Sequence, residues 1–576
     1  MIGGDLFMDS FKKSIAASIA KAIQVKLAEN EIMQAIERPP KPELGDYAFP
    51  SFRLAKMLKK NPNEIAAEIA AKIKLPKEVS EIKTAGPYVN FFLSKSVLTE
   101  QTISSILKQK EKYGSSLTKK GEKIMVEYSS PNTNKPLHIG HLRNDSIGMS
   151  IVKVLEVSGA KVIKANLFSD RGIHICQSML AYKKWGNEEK PGKLKPDHLV
   201  GKYYVLFNQK LKEEPSLKEE LSGMLRKWET NDKTTKKLWN KMNGWAMKGF
   251  KETYKNFGSE FDAVFFESDF YHKAKPLVEL GLKKRVFFRD ESGAVIASLK
   301  ERGLENKTIL RADGTSIYIT NDLPLTKHKF EHFKLDKALW VVASEQDNYF
   351  RQLFLVLKLL GFKWAENCHH LSYGLVKLEG GTLKSREGKV VDADELIESV
   401  TELALKELGK RYPELSAKER NERAKKICLA AIKFYMLKND LNKEIMFEMN
   451  RAVSFEGDSG PYVQYTYARA KSILRKLKRT GKIDFSALQE KEEIELLNIL
   501  RDFPAVVETT ARSLSPHSIC QYLLSLGAAF NTFYHQHQVI KADSKTSNAR
   551  LALVEATSIV LKNGLRLLNI DALERM

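Results

Sequence analysis

Cysteine is scarce in this chain and poorly spaced for joint work. Its four residues, Cys176, Cys368, Cys428 and Cys520, lie far apart and form no Cys-x-x-Cys pair, which argues against a disulfide framework and a structural zinc site. Cys368-His369-His370 places three potential ligands side by side and is read as an incidental loop, so no structural metal is expected. Free thiols fit a reducing compartment, and a cytoplasmic location is expected. No run approaches the roughly 20 apolar residues of a membrane span. The first 24 residues have an apolar helical period but carry Asp5 and Asp9, so they read as a folded helix and not as a secretion signal. Internal repeats and low-complexity tracts are absent. Acidic charge is in deficit: 94 Lys and Arg against 71 Asp and Glu leave a formal net charge of +23. That imbalance points to a polyanionic partner, nucleic acid ahead of an anionic membrane.

What remains is an ordinary globular composition, 43% hydrophobic and 29% charged over 576 residues, enough for two to four domains. The chain is organised around Glu127-Tyr-Ser-Ser-Pro-Asn-Thr-Asn-Lys-Pro-Leu-His-Ile-Gly-His141. Before it, Lys123 to Glu127 reads KIMVE, a buried parallel strand. After it, Gly140 to Val157 reads as a helix that Gly159 is placed to end, and Lys161 to Phe168 reads as a second strand. This βαβ unit delivers the stretch to a helix N-terminus, where free N–H groups and the dipole suit phosphate. His138 and His141 add two donors, and Gly140 removes a side chain so that a flat base can approach. The arrangement suits a phosphorus centre under attack; the competing reading is a Pro-rich turn with two surface histidines.

The predicted organisation has three parts. Residues 1–115 form an α+β unit, with a helical pattern at 62–75 and strands at 45–52 and 88–94. Residues 116–415 alternate strand and helix patterns, with strands at 315–322, 338–344 and 370–376 and a Lys/Trp-rich helical insertion at about 195–257. A doubly wound parallel sheet of Rossmann type follows from that alternation. Residues 416–576 read as all helical, with apolar helical spacing at 424–438, 472–479, 496–514 and 559–570.

His138-Ile-Gly-His141 resembles the first signature of class I aminoacyl-tRNA synthetases, and the wider string VEYSSPNTNKPLHIGHLRND is similar to that of the arginyl-tRNA synthetases. The resemblance runs along nearly the whole chain. It implies an arginine–tRNA ligase. ATP, as its Mg2+ complex, and L-arginine would give an arginyl-adenylate, and tRNA(Arg) would then be esterified at its terminal adenosine. It further implies an N-terminal unit that touches the tRNA elbow, an anticodon-binding C-terminal unit, and a monomer.

The same resemblance assigns residues. His138 and His141 serve the α-phosphate, with Gly140, Leu375 and Val376 around the nucleotide. Gly380-Gly-Thr-Leu-Lys-Ser-Arg-Glu-Gly388 stands at the family's second, lysine-rich signature but is degenerate. Lys384, Ser385 and Arg386 are its ATP-binding candidates, and Lys135 shares the pyrophosphate-side role. A guanidinium needs carboxylates and an aromatic face, for which Tyr318, Asp322 and Glu267 match. The competing readings are an N-cap for Asp322 and a surface carboxylate for Glu267. Glu127, Ser130, Asn132 and Gln346 are assigned to the amino and carboxylate ends of arginine; Gln346 also reads as an ordinary helix-start residue. Tyr349 stands where many relatives have histidine. Single-stranded bases stack on aromatics, so Tyr462, Tyr465, Arg469, Tyr534 and Met576 are the anticodon candidates, against a reading of the tyrosines as helix-packing core. Two alternatives stay open: a lysine-specific class I enzyme, and a tRNA-binding relative without catalysis.

Overall fold

Lys123–Glu127 (β1) forms the middle of the molecule because its side chains are apolar on both faces. Ile124, Met125 and Val126 are each at most 1% exposed, the burial that a central parallel strand requires. The computed structural model describes residues 4–23, 27–37, 39–379, 391–540 and 542–576. From β1 the chain enters the helix Ile139–Val157 (α1), turns at Gly159 with φ +95°, and returns as Lys161–Phe168 (β2). The helix Ile173–Trp185 (α2) follows. Three further helices then fill the predicted insertion: Pro196–Glu213 (α3), Leu217–Glu229 (α4) and Lys233–Phe257 (α5). Ala263–Phe266 (β3) completes the first half of the sheet.

The second half differs from expectation at 315–322. This segment is not a strand: the helix Tyr318–Phe333 (α6) begins inside it. Its β-branched residues suggested an extended segment. The capping hydrogen bond from the Ile317 N–H to Thr320 Oγ1 (2.9 Å) instead starts a helix, and Ile319 and Leu323 share its buried face. Lys337–Ala343 (β4), the helix Asp347–Leu359 (α7) and Cys368–Tyr373 (β5) follow. The five strands are parallel in the order β5-β4-β1-β2-β3. The connections run one way from β1 and the other way from β4, so the switch point lies between them. Ligands bind at the strand C-termini beside such a point, and both the HIGH stretch after β1 and the turn after β4 open there.

Ahead of the sheet, Tyr47–Pro50, Tyr88–Leu93 and Val79–Ala85 form a separate antiparallel sheet, with Ile15, Ile65 and Phe91 in its core. After it come the helices Ala393–Arg411 (α8), Ala417–Leu437 (α9), Gly460–Lys476 (α10), Lys491–Ser513 (α11), His517–Gln536 (α12) and Ser544–Leu567 (α13). Gly460 lets α10 lie close on α9: a Cβ there would stand 2.3 Å from the Ala430 carbonyl oxygen. The all-helical expectation fails at Ile445–Phe447, a short strand pairing in parallel with Val376–Leu378. Its partner is distant in sequence, so no local pattern marks it.

Candidate active site

The two histidines of the HIGH stretch cap α1 with their rings. The Gly140 N–H donates to His138 Nδ1 and the His138 N–H to His141 Nδ1, both at 3.1 Å. Each Nδ1 is therefore an acceptor, which places the ring proton on Nε2 in both residues. Burial, then the charge of Lys135, pushes His138 down to about 3. Burial, then His138 and Lys135, holds His141 well below its ordinary value. Both rings are neutral at pH 7 and offer Nε2–H donors. At Gly140 a Cβ would stand 2.9 Å from His138 Cε1, so the missing side chain makes room for this ring. Lys135 has no carboxylate within ion-pair distance among the described residues, and burial lowers its pKa.

The backbone leading to these histidines is bent into an unusual shape. Ser129 (φ +74°) and Ser130 (φ +48°) are both left-handed, at a cost of about 1–2 kcal/mol each. Two buried asparagines hold them. Asn144 Oδ1 accepts the Ser129 N–H (2.6 Å), and Asn166 Oδ1 accepts the Ser130 N–H (3.0 Å). Asn144 Nδ2 in turn donates to the Val341 carbonyl of β4 (2.7 Å). Asn132 pairs through its backbone with Ser169. These two asparagines were missed in sequence; the visible signal was an amide inside each of two apolar patterns.

Beyond the corner lies an acidic pocket. Glu267, 6% exposed, accepts from Ser169 Oγ at 2.8 Å, and burial pushes its carboxyl up to about 8. Asp322 lies within α6 and not at its N-cap; burial pushes it up to about 6. Tyr349, in the histidine's place, keeps a polar contact by donating its hydroxyl to Asp322 Oδ2. No cation stands within ion-pair distance of Glu267 or Asp322 among the described residues. Tyr318, one helical turn before Asp322, stands 57% exposed at the mouth. Glu127 is engaged from below: Lys329 Nζ, on a side chain 1% exposed, lies 2.5 Å from Glu127 Oε2 and close to the rings of Phe265 and Trp340. Gln346 is exposed in the short turn after β4.

Arg143, also missed, is fully buried on α1 and ties it to the segments around Gly374 and Leu441. Its guanidinium donates to the carbonyls of Gly374 (2.5 Å), Leu375 (2.9 Å), Leu441 (3.1 Å) and Lys443 (2.9 Å). This fixes the backbone beside Leu375 and Val376, both partly exposed. Lys384, Ser385 and Arg386 lie outside the described residues. Downstream of them, Ile139 N–H donates to the Val391 carbonyl and Ala393 N–H to the Leu137 carbonyl, so the chain returns against the HIGH turn. There Asp197, His198 and Asp394 come within metal-ligand range of one another. Lys195 Nζ lies 2.6 Å from Asp394 and 3.3 Å from Asp197, so a cation already sits among these carboxylates.

A second concavity, of about 780 Å³, opens between α10, α12 and the C-terminus, lined by Tyr412, Tyr465, Arg469, Tyr534, Arg575 and Met576 among others. The Arg469 guanidinium lies 4.9 Å from the Tyr465 ring centroid and 5.1 Å from that of Tyr534. Tyr462 is not among the lining residues, in contrast to the expectation from its spacing. Its ring fills the space over Gly527, and its hydroxyl accepts from Asn531 Nδ2 at 3.0 Å, so it packs α10 onto α12.

Comparison with known proteins agrees with these features. The family model for tRNA synthetases class I (R), catalytic domain, matches residues 102–449. The DALR anticodon binding domain matches 463–576, and the arginyl tRNA synthetase N terminal domain matches 9–93. The arginine–tRNA ligase of Treponema denticola is 42% identical over 557 residues, covering 94% of each chain. That of Clostridium kluyveri is 39% identical over 571 residues, 98% of this chain and 100% of its own. The solved arginyl-tRNA synthetase of Thermus thermophilus superposes with a TM-score of 0.76 at 28% identity, across 98% of this chain and 99% of that one. With the HIGH turn at the switch point, an acidic pocket beside it and these matches over nearly its whole length, the chain belongs to the arginyl family of class I aminoacyl-tRNA synthetases.

Proposed function

We propose that this protein is an arginine–tRNA ligase acting in the cytoplasm as a monomer. One observation carries the choice of amino acid. Glu267 and Asp322 lie together, raised in pKa by burial, and among the described residues no cation is paired to either. Such a pocket is completed by a cationic side chain, and Tyr318 at its mouth supplies an aromatic face. Glu127, Ser130, Asn132 and Gln346 take the amino and carboxylate ends of the substrate. Glu127 keeps one oxygen beyond its pair with Lys329 for that purpose.

In the first step a carboxylate oxygen of arginine bonds to the α-phosphorus of ATP, supplied as its Mg2+ complex, and the bond to pyrophosphate breaks. The Nε2–H groups of His138 and His141 stabilise the charge on the α-phosphate oxygens without a change of protonation. Lys135, together with Lys384, Ser385 and Arg386, acts on the pyrophosphate side. Gly140, Leu375 and Val376 border the nucleotide. In the second step a ribose hydroxyl of the tRNA terminal adenosine attacks the carbonyl carbon, and AMP leaves. Tyr465, Arg469, Tyr534 and Met576 receive the anticodon; Tyr462 supports them from behind. The chain works as three units with junctions near 115 and 415.

The test is ATP-dependent charging of total bacterial tRNA, with arginine and lysine offered separately. Charging with arginine alone is expected. Charging with lysine would keep the fold and overturn the pocket assignment. No charging with either, in a preparation that binds tRNA, would replace the ligase by a binding protein.

A further inference from the structure

The acidic pocket has an internal asymmetry. Ser169 Oγ donates to one oxygen of Glu267 at 2.8 Å, and Tyr349 donates to one oxygen of Asp322. Among the described residues no other side chain or backbone group hydrogen-bonds to either carboxylate. Each acid therefore presents one occupied oxygen and one free one. The Tyr349 ring is fixed independently of this contact: it packs edge-on against Phe350 at 5.5 Å and lies 5.4 Å from Lys307 Nζ. Burial raises the Tyr349 phenol well above its ordinary value, so the hydroxyl stays a neutral donor at every working pH.

We propose that Tyr349 is a specificity-determining residue of this pocket: by holding one oxygen of Asp322 it fixes the rotation of the carboxylate, so that the other oxygen meets a single guanidinium N–H. The inference rests on the reading of the pocket as the arginine site. Glu267, held in the same way by Ser169, faces a second N–H. The guanidinium is then gripped between two carboxylates, one contact from each, and not by a two-pronged fork on one of them. A hydroxyl donor suits this better than a charged one, because it orients the acid without neutralising it. Without the hydroxyl, Asp322 keeps its volume and burial but loses its orientation and one donor to its charged form.

The experiment compares the wild-type protein with Tyr349→Phe and Tyr349→His in tRNA-dependent arginine charging and ATP–pyrophosphate exchange, with melting temperatures recorded. Tyr349→Phe removes only the hydroxyl. Its arginine KM is expected to rise by about tenfold or more, with kcat and the ATP KM changed by less than about twofold. The groups facing Asp322 are Tyr349 from α7, Glu127 from β1, Glu267 after β3, and Lys329 and Tyr318 on its own helix. Of these, the Tyr349 hydrogen bond is the one removed. The lower break in the acid limb of kcat/KM for arginine, set by Asp322 beneath that of Glu267, should therefore move to higher pH, because a donor that favoured the carboxylate is gone. Tyr349→His retains a donor and should recover part of the arginine KM; it also carries the test should the phenylalanine variant fail to fold. An unchanged arginine KM with an unmoved acid limb overturns the proposal. So does an equal rise in the arginine and ATP KM values, which a merely structural role would give. If wild-type protein charges no arginine, the pocket reading itself fails, and that outcome is distinct because it appears before any variant is compared.

Discussion

Replacing Asp322 by asparagine should move stability and arginine binding in opposite directions. The carboxyl of Asp322 is pushed up to about 6 by burial, against an ordinary value near 3.9. A carboxyl raised on folding destabilises the unliganded protein when ionised. That penalty is fully present above about pH 6, shrinks as pH falls through 6, and vanishes below the unfolded value. The shift of about two units corresponds to at most about 3 kcal/mol. The asparagine variant, free of that charge, should be no less stable than wild type at pH 7.5, and its melting temperature should hold or rise by a few degrees. Arginine binding should fall on the order of 100-fold, since truncating one member of a buried charged pair costs about 2–5 kcal/mol and Glu267 retains part of the grip. Scanning calorimetry without arginine and isothermal titration with it read the two effects separately. A lower melting temperature together with unchanged arginine affinity would refute the reasoning, because it would make Asp322 a structural residue and not half of an incomplete ion pair.

Arginine binding should also release protons. Glu267, pushed up to about 8, is largely protonated at pH 7 in the free protein and must ionise to meet a guanidinium, so affinity should rise with pH toward 8; titration in two buffers of different ionisation enthalpy measures the release. His141→Ala should lower kcat with a smaller change in the arginine KM, and an unaltered kcat in pyrophosphate exchange would remove it from the reaction. Arg143→Ala strips four backbone carbonyls of their donor and should cost about 3 kcal/mol or more of stability, seen as a lower denaturation midpoint, with a raised ATP KM where it still folds. Arg469→Ala should raise the KM for tRNA while leaving the arginine KM unchanged; a change in both would place Arg469 outside a tRNA-only surface.

What the sequence disclosed divides along the distance between partners. The HIGH unit was legible because strand, turn, helix and return strand are consecutive, and each has its own period. Segment 315–322 was misread because Ile317, Tyr318, Ile319 and Thr320 favour strands by type, whereas the capping contact of Thr320 on Ile317 decides the matter. The misreading did little harm to the site, since Tyr318 and Asp322 share a helical face as readily as they were expected to share a pocket. Tyr462 shows the converse. Its three-residue spacing from Tyr465 is a correct local argument, but Gly527 on another helix leaves a hole that takes the ring away from the crevice. Arg143 and Lys329 were invisible for the same reason. Their partners lie up to 300 and 202 residues away, and nothing in a helical period says whether an interior charge is an error of phase or a clamp. Asn144 and Asn166 are the strongest case, because the left-handed serines they hold belong to the stretch that carries His138 and His141. The chemistry of that stretch was written in its own residues; the strain that aims it is supplied by two amides from α1 and β2, and only the folded chain brings them to it.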